Sequence, residues 1–206
     1  MKIVRIKSPF LFFCFLFSFA TSKVQAQTDF VIMNDGTKLM GEIKNQNLKK
    51  VKFIGSGEKK VRKFGPTDIT EVYKTGRETF RSVGLPGNKG RFFLQVLENG
   101  RIKLYEYFKG GMGRTPAVPN SYGGSGLGFG GNGPLQYWYA QKDNGELVEV
   151  KSNQMWGSRK TRKDNFSTLI ADNPRILDRY IKEDKFTFDF VRSLIEEYNN
   201  TQEKKD

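Results

Sequence analysis

The chain has 206 residues and a formal net charge of +13, because its 35 lysines and arginines outnumber its 22 aspartates and glutamates. It contains no histidine and one cysteine, Cys14. Histidine is the usual general base near neutral pH and the commonest metal ligand, and cysteine supplies thiolate nucleophiles and zinc ligands. The composition therefore excludes Ser-His-Asp and Cys-His hydrolases, the common zinc sites and thiol redox chemistry. We expect no catalytic residues, no cofactor and no metal site.

Residues 1–26 have the pattern of a signal peptide. A basic start is followed by the apolar run Phe10–Ala20 and by the small-residue pattern Val24–Ala26. This run is shorter than the roughly 20 residues that a membrane-spanning helix needs, and Cys14 lies inside it rather than at a lipidation position. We therefore expect export, cleavage between Ala26 and Gln27, and a location in the periplasm or at the outer membrane. Cleavage would lower the formal net charge from +13 to +9.

The stretch Asp29–Lys44 has the pattern of a β-hairpin with a tight turn at Asn34-Asp35-Gly36. Asparagine, aspartate and glycine between apolar runs are strong hairpin signals, because such turns need φ > 0. Gly41 lies within the second strand pattern, where glycine is typical of a bulge or a sharp bend. Further short strand patterns follow, so we expect residues 27–84 to form a small SH3-like or open β-barrel.

A cluster of chain-breaking residues, Leu85–Gly90, separates this unit from a second set of strand patterns. Turns at Asn99-Gly100 and Asn144-Gly145 join apolar runs and predict an antiparallel β unit over 91–151. Within it, the passage 110–134 contains ten glycines and little apolar periodicity. Ordering such a segment costs much backbone entropy, so we expect a long mobile loop there.

From Asp164 onward the apolar period becomes helical. Asn173-Pro174 is typical of a helix start, and Thr187 is a candidate cap for the next helix. The apolar positions of the second helix are Ile176, Leu177, Tyr180 and Ile181. We expect short amphipathic helices over 161–199, either covering the second sheet or forming a small appendage, and a solvated tail over 200–206. The expected fold class is α+β.

Several short signatures lie along the chain in the order of these elements: Asp29, Asp35-Gly36, Gly41-Glu42-Ile43, Val51-Lys52-Phe53, Pro66-Thr67-Asp68-Ile69, Phe93–Leu97, Gly100–Tyr105 and Glu197-Tyr198-Asn199. In this order they resemble an uncharacterised family of short, exported, β-rich bacterial proteins with a helical C-terminal end. The resemblance implies export and this order of strands and helices. It transfers no catalytic or binding residue.

Two groups of basic residues are candidates for a binding surface. The first lies on adjacent predicted strands and the second lies ahead of the helices: Lys50, Lys52, Lys60, Arg62 and Lys63, then Arg159 and Lys160. They would suit an anionic partner such as lipid headgroups or an acidic polysaccharide. The alternative is the ordinary solvated surface of a basic protein. We expect no nucleic-acid partner, because the protein is predicted to be exported.

Aromatic residues are candidates for a second surface. The rings of Tyr137, Trp138 and Trp156 could stack on sugars. The alternative is packing within the sheet, since strands favour aromatic side chains. The G-x-G-x-x-G match at Gly126–Gly131 has no preceding parallel strand and no following helix, so we interpret it as a linker rather than a dinucleotide site.

Four carboxylates lie on or beside the predicted hairpins of the second unit: Glu98, Glu106, Glu146 and Glu149. A glycosidase needs two such groups at a defined separation, which sequence spacing does not establish. The sequence therefore favours an exported, non-catalytic binding or structural protein of the bacterial cell envelope. Its partner would be another envelope protein or an anionic surface. The alternatives are a carbohydrate-binding module and, with less support, a hydrolase that uses carboxylates alone.

Overall fold

The computed structural model describes residues 28–76, 78–109, 135–154 and 157–203. The predicted signal peptide 1–26, the glycine-rich passage 110–134, Trp156 and residues 204–206 of the predicted tail lie outside the described residues. In the described ranges, the chain forms an α+β structure with C-terminal helices, as the sequence predicts. Its strands form one large antiparallel sheet rather than a separate barrel and sheet, and three helices follow.

The elements follow one another in the order of strands first and helices last. The strands are β1 (Asp29–Met33), β2 (Lys38–Gln46), β3 (Val51–Gly55), β4 (Arg62–Phe64), β5 (Ile69–Lys74), β6 (Glu78–Gly84), β7 (Arg91–Asn99), β8 (Ile102–Lys109), β9 (Leu135–Lys142) and β10 (Leu147–Ser152). The helices are α1 (Arg159–Ile170), α2 (Pro174–Glu183) and α3 (Phe188–Glu203).

All ten strands belong to one sheet with the order β10-β9-β8-β7-β6-β5-β1-β2-β3-β4. The strands β4 and β10 are its edges, so the sheet is open. The pair β6 and β7 joins the predicted units 27–84 and 91–151, with Arg81 opposite Leu94 and Val83 opposite Phe92. The two units therefore share one sheet, and whether each folds as a domain stays a prediction.

Strand β2 has its register shift between Ile43 and Asn45, close to Gly41, where the sequence predicts a bulge or a sharp bend. At Gly41 β2 changes its partner, because Gly41 pairs with Asp29 on one side and with Gly55 on the other. A Cβ atom at Gly41 would lie 2.1 Å from the carbonyl oxygen of Ile54, so only glycine fits. The N-terminal half of the sheet encloses a hydrophobic cluster of Val31, Ile43, Val51, Phe53, Phe64, Ile69, Val72 and Phe93.

The helices cover one face of the C-terminal half of the sheet. Their apolar side chains form a second cluster with strands β8, β9 and β10, in which Ile102, Leu104, Phe166, Leu194 and Tyr198 are almost fully buried. The caps lie where the sequence predicts them. The amide of Ile176 donates to Asn173 Oδ1 at 3.4 Å, and the amide of Phe190 donates to Thr187 Oγ1 at 3.2 Å. The opposite face carries a smaller cluster around Leu94, Tyr105 and Leu147.

Candidate anion-binding groove

Helix α1 begins with an unusual concentration of positive charge. Ser158 caps it, accepting a hydrogen bond from the Thr161 amide at 3.0 Å, and Arg159, Lys160 and Lys163 follow with no acidic residue in the first turn. The free amides of a helix N-terminus already carry partial positive charge, so these cations destabilise the helix start slightly. The same arrangement favours an anion at this position.

A groove of about 560 Å³ lies between α1 and α2. It is lined by Arg159, Lys160, Lys163, Asp164, Ser167, Tyr180, Ile181 and Asp184. Lys163 Nζ lies 2.6 Å from Asp184 Oδ1 and so joins the two helices across it. In the part of the chain that the structure describes, Arg159 and Lys160 are exposed and form no ion pair. Two cations of the groove therefore lack an ion-pair partner, although the guanidinium group of Arg159 lies over the ring of Phe186 at 5.8 Å.

Tyr180 packs into this groove and is 4% exposed. Its ring lies edge-on to Phe166 at 5.0 Å, and its hydroxyl, which lies near that of Ser167, forms no hydrogen bond of standard geometry among the described residues. Burial raises the pKa of Tyr180 to about 12, the carboxylates of Asp184 and Asp164 add to the rise, and Arg159 and Ser167 partly oppose it. Buried hydroxyls normally have a partner, so this unpaired donor is a candidate ligand contact.

The positive charge extends from the groove toward β10. Burial lowers the pKa of Lys151, and the neighbouring charges of Arg159 and Arg162 lower it further. Lys151 Nζ lies 4.6 Å from the ring centre of Phe186, and Arg162 is held by Glu149 at 3.4 Å. At this end of α1, the charges of Arg159 and Arg162 therefore repel the charge of Lys151 on β10.

No family model, curated protein or solved structure matches the chain. The resemblance to an exported bacterial family therefore stays a prediction. Function has to be inferred from the geometry of the groove and of the other candidate residues.

The first predicted basic cluster is divided by the structure. Lys52 lies directly opposite Lys63 on the pair β3 and β4, whereas Arg62 lies opposite Phe53 on the other face. Arg62 is also partly neutralised by Glu58 at 3.6 Å. Lys50 precedes β3 and Lys60 lies in the connection to β4, and both are exposed. These residues do not converge on one site, and lysine on the edge strand β4 also discourages pairing between sheets.

The two predicted basic clusters lie far apart in the strand order. Strand β4 is one edge of the sheet, while α1 packs beside β10, the other edge. Of the predicted anion-binding residues, Arg159 and Lys160 line the α1–α2 groove. Lys163, Tyr180 and Asp184 complete it, and the helical spacing of Arg159 and Lys163 is the sequence signal that could have indicated a shared face.

The predicted aromatic surface is not assembled in the described part of the chain. Tyr137 and Trp138 are consecutive on β9 and so lie on opposite faces of the sheet. Trp138 is 5% exposed and packs edge-on against Phe188 at 4.7 Å, so it belongs to the core rather than to an accessible surface. Tyr137 is 7% exposed and packs between Tyr107 and Tyr139, at 5.9 and 6.4 Å between ring centres.

Three of the four carboxylates that the sequence offers for hydrolysis have structural partners. Glu98 binds Arg192 at 2.6 Å, Glu106 accepts from Trp138 Nε1 at 3.0 Å, and Glu149 accepts from Arg162. Glu146 is exposed in the turn before β10. Within the described ranges, no group of three or more aspartates or glutamates could hold a metal ion. Among those same residues, no helix is long and apolar enough to cross a membrane.

A second polar pocket of about 500 Å³ lies on the sheet face opposite the helices. Arg81 crosses its floor, binding Glu71 at 2.7 Å and donating to Asn99 Oδ1 at 3.1 Å and Tyr105 OH at 3.4 Å. Burial disfavours the charge of Arg81, but Glu71 and Tyr105 together raise its pKa. The guanidinium group of Arg81 therefore has its partners within the fold, whereas Arg159 and Lys160 of the α1–α2 groove form no ion pair among the described residues.

Proposed function

We propose that the protein is an exported, non-catalytic binding protein of the bacterial cell envelope that holds anionic groups in the α1–α2 groove. The observation that carries the proposal is the combination of two unpaired cations, Arg159 and Lys160, with the buried, unpartnered hydroxyl of Tyr180 in one groove. Export and the envelope location rest on the sequence pattern of residues 1–26.

Oxygen atoms of a phosphate or carboxylate group can accept hydrogen bonds from all of these donors. Because the pKa of Tyr180 is about 12, its phenol stays protonated at neutral pH and acts as a donor rather than as a base. Lys163 is shared with Asp184, so a bound anion competes with that carboxylate and opens the groove above the phenol. The groove thus offers hydrogen-bond donors and positive charge for binding an anion.

The finer architecture of the N-terminal half is part of the same proposal. We propose a small SH3-like or open barrel over 27–84. The change of partner at Gly41 supports it, as does the contact of the β2–β3 turn with β7, where the Phe93 amide donates to the Leu48 carbonyl at 2.9 Å. This half would serve as a rigid support for the C-terminal binding region.

Titration of the secreted protein with glycerol 1-phosphate, followed by NMR at constant ionic strength, tests the proposal. We expect saturable shifts of the amide signals at the start of α1 and the end of α2. The double variant Arg159→Ala/Lys160→Ala should weaken binding at least about tenfold, since hydrogen bonds to charged groups contribute roughly 1.5–3 kcal/mol each.

The matched control is Lys52→Ala/Lys63→Ala, which removes the same charge from exposed positions on β3 and β4. This control should bind like the wild type. If both double variants weaken phosphate binding equally, net charge explains the binding and a site in the groove is contradicted. The absence of any saturable shift would contradict the site as well.

A further inference from the structure

We infer that the α1–α2 groove docks the protein on an anionic phospholipid surface, with a headgroup phosphate held by Arg159 and Lys160 and with Ile181 inserted into the lipid beside it. This inference rests on the proposed function, because it names the lipid headgroup as the anion that the groove holds. The carrying observation is an exposed isoleucine that lines the same groove as the two unpaired cations.

Ile181 is the most exposed large apolar residue in the described part of the chain. Its side chain is 64% exposed, compared with 43% for Met40 and 42% for Val61. The sequence places it in the apolar stripe of α2, and this prediction is wrong for Ile181. Ile176 and Tyr180 face the core at 0% and 4% exposure, whereas Ile181 points away from it. The fold does not use this isoleucine in its core, so it is available to a partner.

An exposed apolar residue beside unpaired cations is the pattern of a peripheral membrane contact. The cations are attracted by the negative surface of an anionic leaflet, and the apolar side chain gains by leaving water for the acyl boundary. Arg159 and Lys160 provide the charge, and Ile181 provides the apolar anchor on the facing helix. The two contributions lie on two helices that pack together through the edge-on contact of Phe166 with Tyr180, at 5.0 Å between ring centres.

The same observations favour lipid over the other anionic partners. An acidic polysaccharide would use the cations but offers no hydrocarbon for an isoleucine, and the aromatic ring in the groove's lining, that of Tyr180, is 4% exposed, which leaves little of it to stack on a sugar. A stable protein partner normally covers at least about 1,000 Å² in total, with a central apolar patch. One isoleucine at the rim of a small groove does not provide such a patch.

Co-sedimentation of the secreted protein with vesicles tests the inference. Vesicles of phosphatidylcholine with about one third phosphatidylglycerol are compared with vesicles of phosphatidylcholine alone. We expect binding to the anionic vesicles only, and a loss of about tenfold in Ile181→Ser, because an apolar anchor is replaced without a change in charge. The variant Met40→Ser is the matched control, since it removes an exposed apolar residue on β2, and it should bind like the wild type.

Binding of Ile181→Ser equal to that of the wild type would overturn the inference, and so would equal binding to neutral vesicles. Circular dichroism confirms that each variant is folded before it is compared. If glycerol 1-phosphate shifts the groove signals but the vesicles do not bind, the membrane contact is refuted and the anion site stands. If neither probe binds, both fail. Retention on an acidic polysaccharide that is unchanged by Ile181→Ser would identify a glycan partner and overturn the lipid assignment.

Discussion

At the scale of single residues, the clearest structural device is the side chain of Asn199 on α3. It takes the place of a neighbouring strand at the β7–β8 hairpin, accepting from the Ile102 amide at 2.8 Å and donating to the Ile102 carbonyl at 2.9 Å. Gly100 makes room for it, because a Cβ atom there would lie 2.4 Å from Asn199 Cγ. The glycine that the sequence marks as a turn residue is therefore also required by a helix nearly a hundred positions later.

The variant Gly100→Ala should lower the free energy of unfolding by about 1–3 kcal/mol, which is the usual cost of overpacking. Asn199 cannot move aside without losing both of its hydrogen bonds to Ile102. Urea unfolding of Gly84→Ala is the control, since nothing lies within 4 Å of a Cβ at Gly84. When Asn199 has already been replaced by alanine, Gly100→Ala should lower the free energy of unfolding only slightly. An equal loss of stability with and without Asn199 would contradict a contact between the two residues.

At the scale of elements, Asp29 ties three strands together at the start of the sheet. Its carboxylate, on β1, accepts from the Thr75 amide at 2.7 Å, just after β5, and from the Ile43 amide on β2 at 2.8 Å. Burial alone would raise the pKa of Asp29. The hydrogen bonds from Thr75 and Ile43 outweigh it and hold the pKa below the usual value of 3.8.

The stability contributed by Asp29 should depend on pH in a defined direction. A carboxyl group with a lowered folded-state pKa stabilises the protein above its unfolded-state pKa, and the stability is lost as the pH falls through the folded-state pKa. We expect Asp29→Asn to be less stable than the wild type at pH 7 and to lose less stability than the wild type between about pH 4 and pH 2. Denaturant unfolding at several pH values measures the free energy of unfolding of both proteins.

Asp178→Asn is the matched control for this series. Asp178 is exposed and forms no ion pair in the described ranges. The free energy of unfolding of Asp178→Asn should depend on pH in the same way as that of the wild type. An acid limb that is identical in Asp29→Asn and in the wild type would contradict the role given to Asp29.

The hairpins and helix starts could be predicted from the sequence because their signals are local. The turns before β2, β8 and β10 and the caps at Asn173 and Thr187 lie where the sequence places them. The pairing of β1 with β5 could not be predicted, since Val31 meets Val72 across some forty residues of intervening chain. The alternation of side chains along a strand could have predicted that Tyr137 and Trp138 lie on opposite faces of the sheet. It could not predict which of the two faces the helices cover.

At the scale of the whole molecule, the two edge strands of the sheet are protected against pairing in different ways. The Asn165 side chain on α1 donates to the Glu149 carbonyl of β10 at 2.9 Å and so covers that edge. The short strand β4 carries Arg62 and Lys63 instead. The groove lies where the basic start of α1, packed beside β10, meets α2. Arg159 and Lys160 could be identified from the sequence, whereas Tyr180 could not, because its environment becomes visible only once the helices are packed.

A crystal structure of the secreted protein grown with glycerol 1-phosphate tests the central claim most directly. We expect the phosphate group between α1 and α2, within hydrogen-bonding distance of Arg159 and Lys160, with Lys163 turned away from Asp184 toward the ligand. An empty groove with the phosphate bound instead beside Arg81, in the pocket on the opposite face of the sheet, would contradict it.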